Sequence, residues 1–207
     1  MKLLLENWRQ YLTESEESKG IKTFEDFEKK KDLYIGMERD DDAVTFYYSN
    51  SDGEEIGRGY IEINPAGGEL AGEKDPEGPC DGAWVVLSSE ADNKWGPFLY
   101  DIAIEWATEN GGKGLTPDRT RVSLDALRVW DFYLKNRSVD VPNSQLDNLK
   151  NKLTPRNKQD NCNQKAAVKA AGRDWYSSSL SKRYTKKPVT LNALREKERL
   201  RGDFLNK

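Results

Sequence analysis

The chain of 207 residues contains no histidine, only two cysteines and no apolar run long enough to cross a membrane. Without histidine there is no imidazole for acid–base chemistry, for a Cys–His nucleophile or for the usual zinc sites. Cys80 and Cys162 lie far apart and outside any CxxC spacing, so we predict no metal site. The two cysteines can pair, but free thiols are favoured. The opening apolar stretch, MKLLLENW, is too short for a secretory signal and soon meets Glu6.

Aromatic residues are abundant by contrast: six Trp, nine Tyr and six Phe stand in a chain of which 33% is charged. A disordered chain does not carry so many aromatic side chains, so we predict a compact aromatic core flanked by polar segments. The net charge is −15 over residues 1–110 and +12 over residues 111–207. We predict that the basic half docks on the acidic half or is solvated. The alternative is contact with nucleic acid through SLSKRYTKKP, residues 179–188, where Tyr184 stands among Lys and Arg.

The apolar pattern predicts an α+β fold, in which helices pack on a mostly antiparallel sheet. Residues 2–13 form an amphipathic helix, and the polar stretch ESEESKG behind it is a tether. DLYIGMERD, AVTFYYSN and EIGRGYIEIN are predicted strands, and Asp52-Gly53 predicts a hairpin turn between the second and the third. AWVVLSSE is apolar at consecutive positions, which predicts a buried fourth strand.

Two helices follow this fourth strand. The first begins at Gly96-Pro97 and ends at Asn110-Gly111-Gly112, and the second is capped by Ser123, with the short strand or loop KGLTPDR between them. Beyond Val141 the pattern weakens, and NSQLDNLKNKL and TLNALREKERL are predicted helices. The predicted organisation is a leader helix and tether (1–19), an α+β core (20–140) and a basic, partly helical C-terminal extension (141–207).

The order of these elements, with a buried strand that leads into the helix GPFLYDIAIEWATE, resembles the GCN5-related N-acetyltransferase superfamily over residues 33–137. In that family a glycine-containing turn after the fourth strand binds the pyrophosphate of acetyl-CoA through amide groups at the helix N-terminus. The resemblance implies that acetyl-CoA is the cofactor and that an amine is acylated. The cofactor-binding residues that it implies are Val85, Val86, Leu87, Asn93 and Gly96.

The same resemblance implies catalytic roles for side chains. A tyrosine on the later helix serves the family as general acid; Trp130 stands at that position, and Tyr133, one turn on, is the candidate. Glu62 and Glu90, near strand ends, are the candidate general bases. Phe98 stands where the family has a small residue. If its ring filled the space at the head of the helix, the acyl-transfer hypothesis would fail.

The first 14 residues, MKLLLENWRQYLTE, are similar to the short head-targeting leaders of internal proteins in large tailed bacteriophages. There an amphipathic segment ends in Leu/Ile-x-Glu, after which the prohead protease cuts. Leu12-Thr13-Glu14 supplies this tripeptide, which implies cleavage at Glu14 and a phage-encoded protein in the host cytoplasm or the virion. The alternative function is therefore a non-catalytic virion or host-interaction protein of the same fold, with a basic tail that contacts a partner or DNA.

Overall fold

The computed structural model describes residues 20–66, 69–70, 73–74, 80–92, 94–118, 121–146 and 177–204. These residues form an α+β arrangement of helices and strands. The helices are α1 (Phe24–Glu28), α2 (Gly96–Glu109), α3 (Leu124–Asn136) and α4 (Val189–Glu196). The strands are β1 (Tyr34–Asp40), β2 (Ala43–Ser49), β3 (Glu55–Pro65), β4 (Glu69–Leu70), β5 (Glu73–Lys74), β6 (Trp84–Ala91), β7 (Leu115–Thr116), β8 (Asn143–Gln145), β9 (Lys182–Tyr184) and β10 (Leu200–Gly202). The predicted leader helix, including Glu14, lies outside the described residues.

Eight strands form one sheet in the order β10-β1-β2-β3-β6-β7-β9-β8, and β4 pairs with β5 separately. Neighbours in the large sheet are antiparallel except at two places, where β1 runs parallel to β10 and β6 runs parallel to β7. Parallel neighbours need a crossover connection, which α2 supplies between β6 and β7. The predicted α+β class, with a mostly antiparallel sheet and packed helices, is confirmed.

Tight turns connect the first three strands. Between β1 and β2, Asp41 has a φ of 49°, in the left-handed region that Asp tolerates better than most residues. Between β2 and β3, Gly53 has a φ of 88°, which glycine adopts without a Cβ clash. The Asn50 side-chain oxygen accepts the N–H groups of Asp52 and Glu54 and closes this turn. The predicted hairpin turn at Asp52-Gly53 is confirmed.

Helix α2 packs on the large sheet and is buried throughout residues 98–107. Successive side chains of a strand point to opposite faces, so alternate residues of β1, β2 and β3 contribute to this core. They are Ile35, Met37, Val44, Phe46, Tyr48, Ile61 and Ile63. Aromatic contacts are frequent in the core, as between Trp84 and Trp106, whose rings meet edge to face at 4.9 Å.

The C-terminal residues belong to the same sheet and core. Strand β9 lies between β7 and β8, β10 lies beside β1 at the other end, and Leu191 and Leu194 of α4 are fully buried. The helix predicted from NSQLDNLKNKL is wrong at its start, because residues 143–145 pair with β9 as a strand. TLNALREKERL is helical only to Glu196, and its last residue, Leu200, begins β10. Pairing with distant strands therefore overrides the local helical pattern.

Basic side chains of the second half pair with carboxylates of the first half, as predicted. The pairs are Lys186 with Glu105, Arg195 with Glu109 and Lys197 with Glu28. Tyr184, in contrast, is fully buried and its ring stacks on Trp130 at 4.9 Å. It is not accessible to a nucleic-acid base, so the stacking role predicted for it is wrong.

Cys80 is buried and disulfide-bonded, and no free cysteine occurs among the described residues. The prediction of a free thiol is therefore wrong for Cys80, since distance along the chain does not determine distance in the fold. Its side chain lies in a small second core with Ala83, Val85 and Leu146. No helix of the described residues is long and apolar enough to cross a membrane.

Candidate functional site

Strand β7 is only two residues long, so its pairing with β6 ends soon after β6 begins. Their pairing is confined to two residue pairs at the start of β6, although β6 continues to Ala91. Pro117 directly follows β7, and a proline has no N–H with which to extend the ladder. Over residues 86–91, one edge of β6 therefore faces no strand of the described chain, while the other edge is paired with β3.

A β-bulge in β6 determines which side chains line this open part of the strand. Ile63 pairs with Val86 and Glu62 with Ser88, so Leu87 is the extra residue. Val86 packs in the core with α2, and Ser89, three residues on, hydrogen bonds to α2 as well. Strict alternation would place these two side chains on opposite faces. The bulge thus brings a polar side chain to the α2 side of the open strand.

The open part of β6 forms one wall of a crevice with a volume of about 760 Å³. The beginning of α2 and the N-terminal part of α3 form further walls, and Ile21, just before α1, also contributes to the lining. The volume lies within the range of sites for small molecules and cofactors, roughly 300–1,000 Å³. The crevice is therefore the candidate site of this protein.

The Phe98 ring does not fill this crevice. It is 2% exposed and stacks on the rings of Phe27, Phe24 and Tyr48, with the closest centroid, that of Phe27, at 5.1 Å. Its neighbour Pro97 lines the crevice, whereas Phe98 does not. Because its ring does not fill the space at the head of α2, Phe98 does not exclude the acyl-transfer hypothesis.

Gly96 begins α2 at the crevice wall, and packing does not explain why a glycine stands there. A Cβ at this position would meet only Ala91 Cβ at 3.7 Å, an ordinary contact. The next residue, Pro97, has no N–H, and the N–H of Phe98 donates to the Trp95 carbonyl at 3.2 Å. No acceptor for the Gly96 N–H lies among the described residues. Gly96 therefore leaves room for a ligand in the crevice.

Two tyrosine–serine hydrogen bonds connect neighbouring residues of β6 to the surrounding elements. The Tyr100 hydroxyl lies 3.0 Å from Ser89 Oγ, and the Tyr60 hydroxyl lies 2.9 Å from Ser88 Oγ. Burial raises the pKa of Tyr100 to about 12, with the Ser89 hydrogen bond acting in the opposite direction and the charge of Asp118 adding to the rise. Tyr100 is consequently a neutral phenol at physiological pH.

The crevice lining carries more carboxylates than cations. The carboxylates are Glu90, Asp92, Asp125 and Asp131, and the cations are Lys94 and Arg128. Arg128 donates to Asp125 at 2.8 Å, so part of its charge is already compensated. The described lining therefore favours a ligand that presents a positive group to part of the crevice.

The two predicted general bases lie in different places. Glu90 lines the crevice, near the end of β6. Glu62 stands on β3, where its Cα pairs with Ser88, and it does not contribute to the lining. Of the two carboxylates, Glu90 alone is placed to contact a ligand in the crevice.

The predicted cofactor-binding residues are likewise divided. Gly96 lines the crevice, whereas the side chains of Val85, Val86 and Leu87 do not. Val85 packs in the small core around Cys80, and Val86 packs in the main core. Asn93 lies outside the described residues.

Tyr133, the predicted general acid, is fully buried and does not line the crevice. Its hydroxyl lies 2.8 Å from Asp101 Oδ1 and 2.9 Å from the Pro97 carbonyl oxygen, and these two acceptors share its single proton. Burial, and then the charge of Asp101, raise its pKa well above the ordinary value. These contacts hold the first turn of α2 against α3, which is a structural role.

Sequence reasoning did not identify Ser89 and Tyr100 as site residues. The available signals were weak: Ser88 and Ser89 interrupt an apolar strand, and Tyr100 follows Gly96 by about one helical turn. Only the strand register and the bulge bring the two side chains together. The described residues contain no group of three or more His, Cys, Asp or Glu that could bind a metal ion.

Comparison of the chain with protein-family models, with curated proteins and with solved structures found no match. The functional inference therefore rests on the geometry and chemistry of the crevice.

Proposed function

We propose that the protein is a GCN5-related N-acetyltransferase-like protein that binds acetyl-CoA in this crevice and acylates an amine. The observation that carries the proposal is the open edge of β6 over residues 86–91, next to the start of α2. The family resemblance implies an open strand edge at this place, next to the head of the connecting helix. The buried position of Phe98 and the room at Gly96 also support it.

The open edge of β6 suits a ligand with amide groups. An exposed strand edge carries backbone N–H and C=O groups that bind an extended amide-bearing chain as a further strand would bind. The pantetheine arm of acetyl-CoA is such a chain. No described strand competes for this edge beyond Val85. The backbone of β6, rather than the Val85, Val86 and Leu87 side chains, would hold the arm.

The start of α2 suits the phosphates of the same ligand. A helix N-terminus carries a partial positive charge and backbone N–H groups that bind anions. Here the Gly96 N–H is the donor, and the absence of a side chain allows close approach. Lys94 and Arg128 also line the crevice and add positive charge. These groups would face the phosphates, whereas the four carboxylates of the lining and the missing N–H of Pro97 oppose an anion there.

The carboxylates of the crevice lining suit the amine that would accept the acyl group. A cationic amine is attracted to the acidic part of the crevice, and Glu90 is the carboxylate that we assign to accept its proton. Bound acetyl-CoA supplies a thioester that is activated toward attack by a neutral amine. Tyr60 and Tyr100 are the tyrosines of the crevice lining.

Thermal unfolding with and without acetyl-CoA tests the proposal. At a ligand concentration of 100 times the dissociation constant, binding stabilises the folded protein by about 2.7 kcal/mol. Gly96→Ala and Gly96→Leu form a graded series, because their side chains extend into the space beside Ala91. We expect a small loss of the ligand-induced shift for Ala and a full loss for Leu. Similar melting temperatures without ligand would show that both variants fold.

The absence of any shift at millimolar acetyl-CoA with the wild-type chain would overturn the proposal. The non-catalytic virion or host-interaction protein would then be the remaining candidate. Pro97 favours this alternative, because it removes one amide donor from the start of α2. Mass spectrometry of purified phage particles tests it, since it requires the protein to be present in the particle or on a host partner.

A further inference from the structure

The first described residues of the chain lie at the crevice. Gly20 has a φ of 89° and lies against the Lys94 side chain, where a Cβ would come 2.5 Å from Lys94 Nζ. The N–H of Lys22 donates to the Lys94 carbonyl at 3.0 Å, and Ile21, between them, lines the crevice together with Lys94. Residues 20–22 are therefore held at the crevice, and the segment that precedes them in the sequence starts from it.

The crevice lining combines apolar surface with negative charge. Its walls include the aliphatic and aromatic side chains of Ile21, Tyr60, Ala126 and Val129. Four carboxylates against two cations give the lining a charge of −2, and Arg58, which pairs with Asp92 at 3.7 Å from outside the lining, compensates one of the carboxylates. Such a surface fits a peptide that is apolar on one face and carries cations beside that face.

Residues 2–13, which lie outside the described residues, have this composition. Helical spacing places five apolar or aromatic side chains on one face: Leu4, Leu5, Trp8, Tyr11 and Leu12. Lys2 and Arg9, seven residues apart, flank this face, and Glu6 is the one carboxylate of the segment. Residues 14–19, in contrast, hold three carboxylates and one cation, so their charge opposes entry into the same crevice.

The short connection keeps residues 2–13 near the crevice. Residues 14–19 reach at most about 21 Å when fully extended, measured from Gly20. A segment tethered this closely to a site has an effective concentration in the millimolar range. At about 1 mM, a dissociation constant of about 0.1 mM is sufficient to fill the crevice about 90% of the time.

We infer that residues 2–13 of the chain bind in the crevice as an amphipathic helix, with their apolar face on its aliphatic and aromatic lining. Another ligand of the crevice then binds about tenfold more weakly than it would to the empty crevice. The inference goes beyond the proposed function and does not depend on it, because it needs only the crevice and the sequence of this segment.

Thiol labelling of the full chain, with no ligand added, tests the inference. Ala126→Cys places a thiol on the crevice wall. Lys135→Cys is the matched control, because it places a thiol on the exposed end of the same helix, outside the lining. Peptide mass mapping assigns the label to its residue, so that reaction at the native cysteines is counted separately.

Each thiol is introduced into three forms of the full chain. The first form keeps the N-terminal segment unchanged. The second carries Leu5→Ser and Trp8→Ser, which remove apolar side chains from the face that binds. The third carries Gln10→Ser and Thr13→Ser on the opposite face. Equal melting temperatures would show that the three forms fold alike.

We expect Ala126→Cys to react about tenfold faster in the second form than in the first and third, because the crevice is then empty. The rate at Lys135→Cys should be the same in all three. A synthetic peptide of residues 2–13 at about 1 mM should slow the reaction of the second form again, by occupying the crevice in place of the tethered segment.

Equal rates at Ala126→Cys in the three forms overturn the inference. Equal acceleration at both thiols overturns it as well, because the substitutions would then loosen the whole fold, and so does a peptide that restores no protection. If the labelling follows the expectation but acetyl-CoA causes no thermal shift, the proposed function fails and the inference stands. Equal labelling rates together with a thermal shift leave the proposed function standing without the inference.

Discussion

Glu105 on α2 and Lys186, which follows β9, form an ion pair inside the core, with Lys186 Nζ 2.5 Å from Glu105 Oε1. The Glu105 side chain is fully buried and also accepts the backbone N–H groups of Thr190 and Leu191 at 3.0 and 2.7 Å. Helix α4 has no side-chain cap of its own. A carboxylate from the middle of the chain therefore caps a C-terminal helix and neutralises a buried cation.

Replacement of Glu105 by Gln should strongly destabilise the protein. The substitution removes the nearer of the two carboxylates beside the buried Lys186 and leaves only Asp101, at 3.4 Å. Breaking a buried ion pair from one side costs about 3–5 kcal/mol. Urea unfolding followed by circular dichroism measures the change. The control is Glu109→Gln, which breaks the more exposed pair with Arg195 and should cost less than about 1 kcal/mol. Equal effects of the two substitutions would contradict the capping role of Glu105.

Asp101 should make stability depend on acid pH. Burial alone would raise the pKa of this carboxyl, but the charges of Arg137 and Lys186, with the Tyr133 hydrogen bond, hold the pKa below its ordinary value of 3.8. Since the folded-state pKa is the lower one, the carboxylate contributes stability above the unfolded-state pKa. This contribution is lost as the pH falls through the folded-state pKa.

We therefore expect the free energy of unfolding to decrease more steeply below about pH 4 in the wild type than in Asp101→Asn. The variant should also be less stable at neutral pH, because Arg137 and Lys186 lose a partner. Urea titrations between pH 6 and pH 3 measure both effects. Parallel pH profiles of the two proteins would contradict the assignment.

Tyr133→Phe should affect stability and leave ligand binding unchanged. The phenylalanine keeps the ring contacts but leaves Asp101 Oδ1 and the Pro97 carbonyl without this donor, at a cost of about 1–2 kcal/mol. The hydroxyl does not reach the crevice lining, so the affinity for acetyl-CoA should change by less than about twofold. Thermal unfolding and calorimetry measure the two quantities. A large loss of affinity at unchanged stability would restore Tyr133 as a site residue.

Gly114→Ala should be far more harmful than Gly96→Ala. Gly114 has a φ of 112°, and a Cβ there would lie 2.3 Å from the Tyr184 carbonyl oxygen, so β7 and β9 would have to move apart. Backbone strain and overpacking together cost about 3 kcal/mol. A Cβ at Gly96 makes only an ordinary contact. The difference in melting temperature measures this contrast, and equal melting temperatures would contradict it.

Local sequence patterns correctly predicted the helices, strands and turns that are determined by neighbouring residues. The Asp52-Gly53 turn, the strands around it and the helix that begins at Gly96 are all where the pattern predicts them. In these segments the periodicity of apolar residues reports which side chains are buried, and turn residues report where the chain reverses. The same reasoning gave wrong predictions for the C-terminal segments. There β8 and β10 are short strands that form only by pairing with strands distant in the sequence.

The candidate site was predictable in part. Gly96 and Glu90 were recognised from their positions at a helix start and a strand end, and both line the crevice. Tyr133, chosen from the family resemblance, and Glu62, chosen like Glu90 from its place near a strand end, lie elsewhere. A helical or strand pattern shows that a side chain is on the apolar face but not which cavity or partner it meets.

The sequence by itself determined the α+β class, the hairpins, the aromatic composition of the core and the attraction between its acidic and basic halves. The tertiary structure alone decided where the pairing of β6 with β7 ends, that Ser89 meets Tyr100, and that Glu105 caps a helix 85 positions away. The reason is physical. Burial and turn preference are local properties of a residue and its neighbours, whereas strand register and the meeting of distant side chains depend on how the whole chain closes its loops and fills its core.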